Sequence, residues 1–297
     1  MTRLAAALSL LAAMTLTGAN VPFGKVIVGA MPIYAFLLVR FVIASAALAL
    51  LARFEPGPPL RRMTGQQWGD LVVLSLVGSV LYTLFILEGT RRSSATEAGI
   101  ITATIPAAVT VLGLIFFRVR PSLRQILLIG LAVAGLAVMA AGPPGEASDR
   151  LGGNLLVGCA VVCEASFVVV SQRMSRAFRP IRLSLGVSLA GMAMALPLAL
   201  WEAQADAAFA LPAATWALVA WYSLTSSAIC TVLWYRGAAH VEPWMAGLAT
   251  AALPVAAVLV AVVVLGEPVT LHRLAGAAIV VAAIAAGALL PERPYSS

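Results

Sequence analysis

The sequence predicts an all-α integral membrane protein: ten transmembrane helices arranged as two inverted five-helix repeats. Three observations predict it: an apolar composition, ten apolar runs of spanning length, and a match of the chain to itself at an offset of 148 residues. Of 297 residues, 62% are apolar and 10% charged, and the mean hydropathy is +1.00. A soluble chain carries about 25% charged residues to solvate its surface. The stretches between apolar runs are too short to form a soluble domain.

Splitting the chain at charged, polar and Gly-Pro breaks gives spans over 4–28, 31–52, 69–89, 95–117, 122–141, 152–174, 181–200, 213–235, 243–265 and 271–290. Most approach or exceed the roughly 20 residues that cross a hydrocarbon core as a helix, and all are too long and too continuously apolar for barrel strands. The first span follows Arg3 and has the look of a secretory signal. The repeat uses that span as the counterpart of a helix in the second half, so it is expected to be retained. It carries Thr15, Thr17, Asn20 and Pro22, with Lys25 near its outer end, where a lysine either snorkels to the headgroups or meets a substrate. Span 2 holds Arg40 near its middle.

Span 3 sets Ser75, Ser79 and Tyr82 at i, i+4 and i+7 beside Thr83, a polar stripe on an apolar helix. Span 4 offers Gly99, Thr102, Pro106 and Thr110. Residues 143–150 read as a linker between a first repeat, 1–142, and a second, 151–291. Span 6 carries Glu164 near its middle. Span 8 repeats the stripe with Ser223, Ser227, Cys230 and Thr231, then Trp234, and span 9 supplies Gly247, Thr250 and Pro254.

The self-match lays "SLVGSVLYTLFILEG" at 75–89 on "SLTSSAICTVLWYRG" at 223–237. Ala98, Gly99, Thr102, Ala103 and Pro106 then meet Ala246, Gly247, Thr250, Ala251 and Pro254, and Pro32 meets Pro180. Five spans per copy is an odd number, so the second copy enters the membrane upside down. Inverted repeats are a recurring design of secondary transporters, whose site lies at mid-depth where helices are interrupted. Proline inside a helix costs about 3 kcal/mol. Its recurrence in spans 4 and 9 points to that site, although packing kinks also account for it.

Basic residues divide thirteen to five in favour of cytoplasmic termini. The net charge of +7 follows from this topology: arginines sit at span ends, not in patches among exposed aromatics, so no nucleic-acid partner is expected. Cys159, Cys163 and Cys230 lie inside apolar runs without ligand spacing, which predicts neither disulfide nor metal site. His240 and His272 are isolated, and no phosphate-binding loop occurs, so no enzyme chemistry, ATP motor or cofactor is expected.

Charge at the centre of a bilayer costs at least about 2.5–3.5 kcal/mol, so Arg40 and Glu164 should face the bundle interior. Arg40 suits anchoring of carbonyls or an acid; Glu164 suits a proton, an amino group or a structural pairing. The substrate cavity is expected among Asn20, Ser79, Tyr82, Thr83, Thr102, Pro106, Glu164, Ser227, Thr231, Trp234, Thr250 and Pro254, with a charge or proton role for Glu164, Arg40 or Lys25. Small and hydroxylated residues also mediate ordinary helix packing. Tyr82, Tyr222 and Trp234 either pack against a substrate side chain or anchor at the membrane interface.

Along nearly its whole length the chain resembles the EamA-type transporters of the drug/metabolite transporter superfamily. The resemblance rests on "LTGANVPFGK" in span 1, "MPIYAFLLVRF" opening span 2, the prolines of spans 4 and 9, and "VLGEPVTLHRLAGAAIV" joining spans 9 and 10. Two departures stand out: Arg118-Val119-Arg120 where the second half has Gly266-Glu267-Pro268, and Thr17 where a tryptophan is usual. The resemblance implies export of small metabolites, amino acids foremost, across a bacterial inner membrane around a cavity lined by helices 1, 3, 4, 6, 8 and 9. Within the family the chain is most similar to the aromatic amino-acid exporter branch. A monomer or weak dimer among membrane lipids is expected. Other readings are a carrier of amines, nucleosides or sugar derivatives, a membrane enzyme, or a channel.

Overall fold

A computed structural model describes residues 1–56, 63–93, 95–118, 121–140, 150–202, 211–265 and 270–289. Every regular element among them is helical. The first half comprises α1 (Arg3–Ala30), α2 (Ile33–Ala52), α3 (Gly65–Ser75), a π-helical turn (Leu76–Leu81), α4 (Tyr82–Arg92), α5 (Ala95–Thr102), α6 (Ile105–Phe117) and α7 (Leu123–Ala140). The second comprises α8 (Arg150–Ala177), α9 (Pro180–Trp201), α10 (Ala213–Tyr222), a π-helical turn (Ser223–Ile229), α11 (Cys230–Ala238), α12 (Pro243–Thr250), α13 (Ala252–Leu265) and α14 (Leu271–Leu289). Nine stretches of described helix are long and apolar enough to cross a membrane, and the shorter Ile100–Phe116 supplies the fourth span. The 143–150 linker lies, apart from Arg150, outside the described residues.

Span 3 begins earlier than its apolar run because Thr64 and Gln67 form a capping box that satisfies free N–H groups at the start of α3. The fourth and ninth spans are each split one turn ahead of their proline. Pro106 is the second residue of α6 and Pro254 the third of α13. A proline in a first turn needs no hydrogen bond from its nitrogen, so the break relieves the penalty that an unbroken helix would carry. Proline alone does not force a break, because Pro197 stands exposed inside the continuous α9.

The repeat is legible in the packing. α2 lies on α9 and α7 on α14, pairing equivalents from the two halves, while α4 packs on α8 as α11 packs on α1, and α6 on α8 as α13 on α1. α1 and α8, equivalent helices, are both 28 residues long. The two π turns also fall in register: Leu76 shifted by 148 is Leu224, inside the second.

The bundle has a proximal end, where α1 starts, and a distal end. Large buried side chains crowd the proximal half: Leu10, Leu74, Met174, Leu183, Trp234, Tyr235 and Leu248. Small residues draw helices together elsewhere. A Cβ on Gly18 would strike the Leu253 carbonyl beside the α12–α13 break, and Gly135 and Gly276 let α7 and α14 touch backbone to backbone.

Two carboxylates outside the spans lock the halves to each other. Glu202 accepts from the amides of Tyr34 and Ala35 (3.1 and 3.0 Å) at the start of α2; Glu55 accepts from those of Ile181 and Arg182 (3.0 and 2.9 Å) at the start of α9. In each case the donors are the second and third helical residues, orphan N–H groups at the positive end of a helix dipole.

Candidate functional site

The polar residues predicted to line the interior divide into two sets. Those on the hydroxyl stripes mostly satisfy themselves within their own helix. Thr83 donates to the Ser79 carbonyl, Thr102 to Ala98, Thr110 to Pro106, Thr231 to Ser227 and Thr250 to Gly247, at 2.6–2.9 Å. These bonds let hydroxyls sit in an apolar bundle without a partner helix. Ser75 spans helices instead, donating to the Val187 carbonyl at 3.0 Å. Ser227 and Pro106 are buried, and Pro254 is half-buried.

The second set converges. Arg40 shares the inward face of α2 with Leu37 and Ala44, opposite the exposed Val42, and Tyr222 acts on it electrostatically. It lies over the rings of Phe41 and Phe36, at 4.8 and 6.0 Å. Its Nε is buried with no partner among the described residues. Tyr222 is fixed edge-on to Phe36, ring centroids 5.2 Å apart, and its ring lies against Gly24 of α1.

Glu164 sits on α8 between the buried Ala160 and Val168, turned from the exposed face of Leu155 and Val162. Its electrostatic influence reaches Tyr82 of α4 and Cys230 of α11, and that of Tyr222 reaches Tyr82. Arg40, Tyr82, Glu164 and Tyr222 are each half-buried.

The two tyrosines flank the π turns. Tyr82 directly follows the first and Tyr222 directly precedes the second. An i→i+5 turn inserts an extra residue and rotates the helix beyond it, a device frequent at functional sites.

Near mid-depth Thr17 Oγ1 meets Cys230 Sγ at 2.7 Å, and Asn20 donates to Thr225 Oγ1 at 3.0 Å while its own Oδ1 is buried with no partner among the described residues. Toward the proximal side the interior closes. Trp234, 1% exposed, stacks on Phe167 and donates to Ser171 Oγ at 2.9 Å; Gln172 donates to the Val241 carbonyl at 3.1 Å, and Asp70 pairs with Arg173. Trp234 thus belongs to this closed layer. The backbone of Lys25 and Pro22 runs in α1, but their side chains lie outside the described set, as does Gly266-Glu267-Pro268.

Sequence reasoning missed Thr225, Ser171 and Gln172. Gln172 follows Glu164 by eight residues, two helical turns on the same face, and that spacing was the available signal. The cysteines are free thiols, and among the described residues no cluster of metal-ligating side chains occurs.

A bundle of apolar spans in two inverted halves is an architecture of multi-pass membrane transporters. The profile of the EamA-like transporter family matches residues 4–141 and again 151–286, and the chain belongs to that family. It is 33% identical over 298 residues to a Bacillus subtilis (strain 168) protein described as "Uncharacterized transporter YetK", covering 98% of this chain and 89% of that one. A second relative, an "Uncharacterized transporter" of Archaeoglobus fulgidus, is 22% identical over 245 residues, 82% of this chain and 84% of its own. A solved crystal structure superposes with a TM-score of 0.79 over 99% of this chain and 100% of its own, at 21% identity, which shows the shared fold.

Proposed function

We propose that the protein is a secondary carrier that exports amino acids, aromatic ones foremost, across a bacterial inner membrane, with both termini cytoplasmic. One observation carries the reading: the EamA-like transporter profile matches each half of the chain, residues 4–141 and 151–286. The two halves, residues 1–142 and 151–291, rock against each other in alternating access. The closed proximal layer around Trp234 supports a state open toward the distal end. The carrier works as a monomer or weak dimer, without cofactor or chemical step.

Counterflow in proteoliposomes tests it. Vesicles of purified protein loaded with unlabelled amino acid should accumulate labelled phenylalanine, leucine or threonine transiently. Uptake no faster than in empty vesicles for all three overturns the reading. Reporter fusions at each end test the topology, and opposite sides for the two termini refute the inverted-repeat carrier.

A further inference from the structure

Three consecutive side chains of α8 close the proximal side in three directions. Ser171 accepts the indole N–H of Trp234 on α11 at 2.9 Å, Gln172 donates to the Val241 carbonyl in the turn beyond α11 at 3.1 Å, and Arg173 pairs with Asp70 on α3. One turn before them Phe167 stacks on Trp234, ring centroids 5.9 Å apart, and rests against Gly78, where a Cβ would strike it. Trp234 is 1% exposed, and Ser171 and Gln172 are fully buried.

Because the repeats are inverted, equivalent positions recur at the distal side, and the packing fixes which residues correspond. A Cβ on Gly237 of α11 would meet the Ala6 carbonyl and Leu10 of α1; a Cβ on Gly89 of α4 would meet the Gly153 carbonyl and Val157 of α8. Ala6 and Leu10 thus correspond to Gly153 and Val157, one residue from the register of the self-match. Carried along the helices, this register sets Gly24, Lys25 and Val26 of α1 against Ser171, Gln172 and Arg173 of α8. Gly24 and Ser171 each stand six residues before the end of a 28-residue helix. The offset of 148 sets Ile86 of α4 against Trp234, and Leu218 against Asp70.

Gly24, Val26, Ile86 and Leu218 have no polar side chains, so the distal side has nothing to match the Trp234–Ser171 bond or the Asp70–Arg173 pair. The self-match register, which puts Phe23 in place of Gly24, gives the same result. Helix packing agrees: α8 lies on α11, whereas their counterparts α1 and α4 have no comparable seam among the described residues. A carrier that exchanges its two ends must close on either side. A bond made in only one of the two states tilts the equilibrium toward that state, and one buried hydrogen bond does so by about two- to tenfold.

We propose that Trp234 and Ser171, backed by Phe167, form a one-sided latch that holds the resting carrier shut proximally and open distally. The opposite state closes where Ile86 meets Gly24, without a bond to hold it. This rests on the alternating-access reading above and adds which side stands open at rest, and which contact sets it.

Cross-linking in membranes reads the two closures without a known substrate. In a chain whose three cysteines are replaced by alanine, Gln172→Cys/Val241→Cys reports the proximal side and Gly24→Cys/Ile86→Cys the distal side. With Trp234 and Ser171 intact, a short thiol-bridging reagent should join the proximal pair about tenfold faster or more. Equal rates overturn the latch, even if no further variant folds. In the chain with the distal pair, Ser171→Ala, or Trp234→Phe, which keeps the ring and loses the N–H, should each speed distal bridging by about two- to tenfold. Both changes together should do no more than either alone, since each removes the same bond. Distal bridging that stays unchanged in whichever variant folds, or that rises additively in the double, overturns the proposal. In proteoliposomes that show counterflow, bridging the proximal pair should abolish exchange and a reductant should restore it; exchange that persists overturns the proposal as well. If wild type shows no counterflow with any of the three amino acids, the exporter reading fails, and the bridging rates still decide the latch.

Discussion

Replacing Glu202 measures how much the reciprocal carboxylate caps hold the two halves together. The side chain accepts two charge-assisted bonds, from Tyr34 and Ala35, at the start of a helix in the other repeat. Such bonds contribute about 1.5–3 kcal/mol each net of competition with water, toward the lower end for a half-buried carboxylate, and a negative charge at a helix N-terminus adds about 0.3–1 kcal/mol. Glu202→Gln keeps one acceptor and loses the charge, so about 1–2 kcal/mol should disappear; Glu202→Ala loses both bonds and about 3 kcal/mol. For a chain of this size a loss of 1 kcal/mol lowers Tm by roughly 2–4 °C, so the alanine variant should melt roughly 6–12 °C below wild type. The assay is thermal unfolding in detergent, followed by tryptophan fluorescence or by loss of the monodisperse chromatographic peak. Glu55 caps α9 in the same way at the opposite end of the bundle, so the double variant Glu55→Ala/Glu202→Ala should lose close to the sum of the single losses. Single variants that melt with the wild type would mean that water replaces both bonds without cost, and that the halves adhere through helix packing alone.

Other consequences are local. Gly18→Ala places a methyl against the Leu253 carbonyl and should cost about 1–3 kcal/mol by overpacking, with a matching fall in Tm; an unchanged melt would show that α1 and α13 can part freely. Ser171→Ala strands the buried indole N–H of Trp234 and should cost about 1–3 kcal/mol, whereas Ser166→Ala, whose hydroxyl bonds only its own helix, should cost little; equal effects would refute the role of the Trp234 bond. Arg118 ends α6 with φ of 55°, a left-handed conformation that costs a side chain about 1–2 kcal/mol, so Arg118→Gly should raise Tm, and a lower Tm would show that the arginine side chain offsets the strain.

Much of the fold was legible because the bilayer removes choices. Apolar runs of spanning length must be helices, and an odd number of them per repeat must invert the second copy. The prolines marked the interrupted spans, yet where the chain breaks, and the unbroken passage of α9 through Pro197, depend on which carbonyls find other partners in three dimensions. The stripes of span 3 and span 8 were read as cavity lining, but short hydroxyl side chains reach their own helix first, as Thr83 and Thr231 do. Longer side chains have no such escape, and so Arg40, Glu164 and the tyrosines declare the interior. The π turns left no mark in composition or periodicity. Only the register of the two copies hints at them, since both fall within the stretch where "SLVGSVL" lies on "SLTSSAI".

The inverted symmetry bears differently on packing and on chemistry. Helix pairings, π turns, proline breaks and carboxylate caps all occur twice, because each repeat needs the same contacts to close against the other. The charges do not. Arg40 shifted by 148 is Ser188, and Glu164 shifted back is Leu16. A structural role would tend to be shared by both copies, since the same packing problem recurs in each. A ligand without two-fold symmetry presents its recognition problem only once. With one such charge in each repeat, at positions the offset of 148 does not relate, the charged chemistry is asymmetric while the helix pairings around it recur.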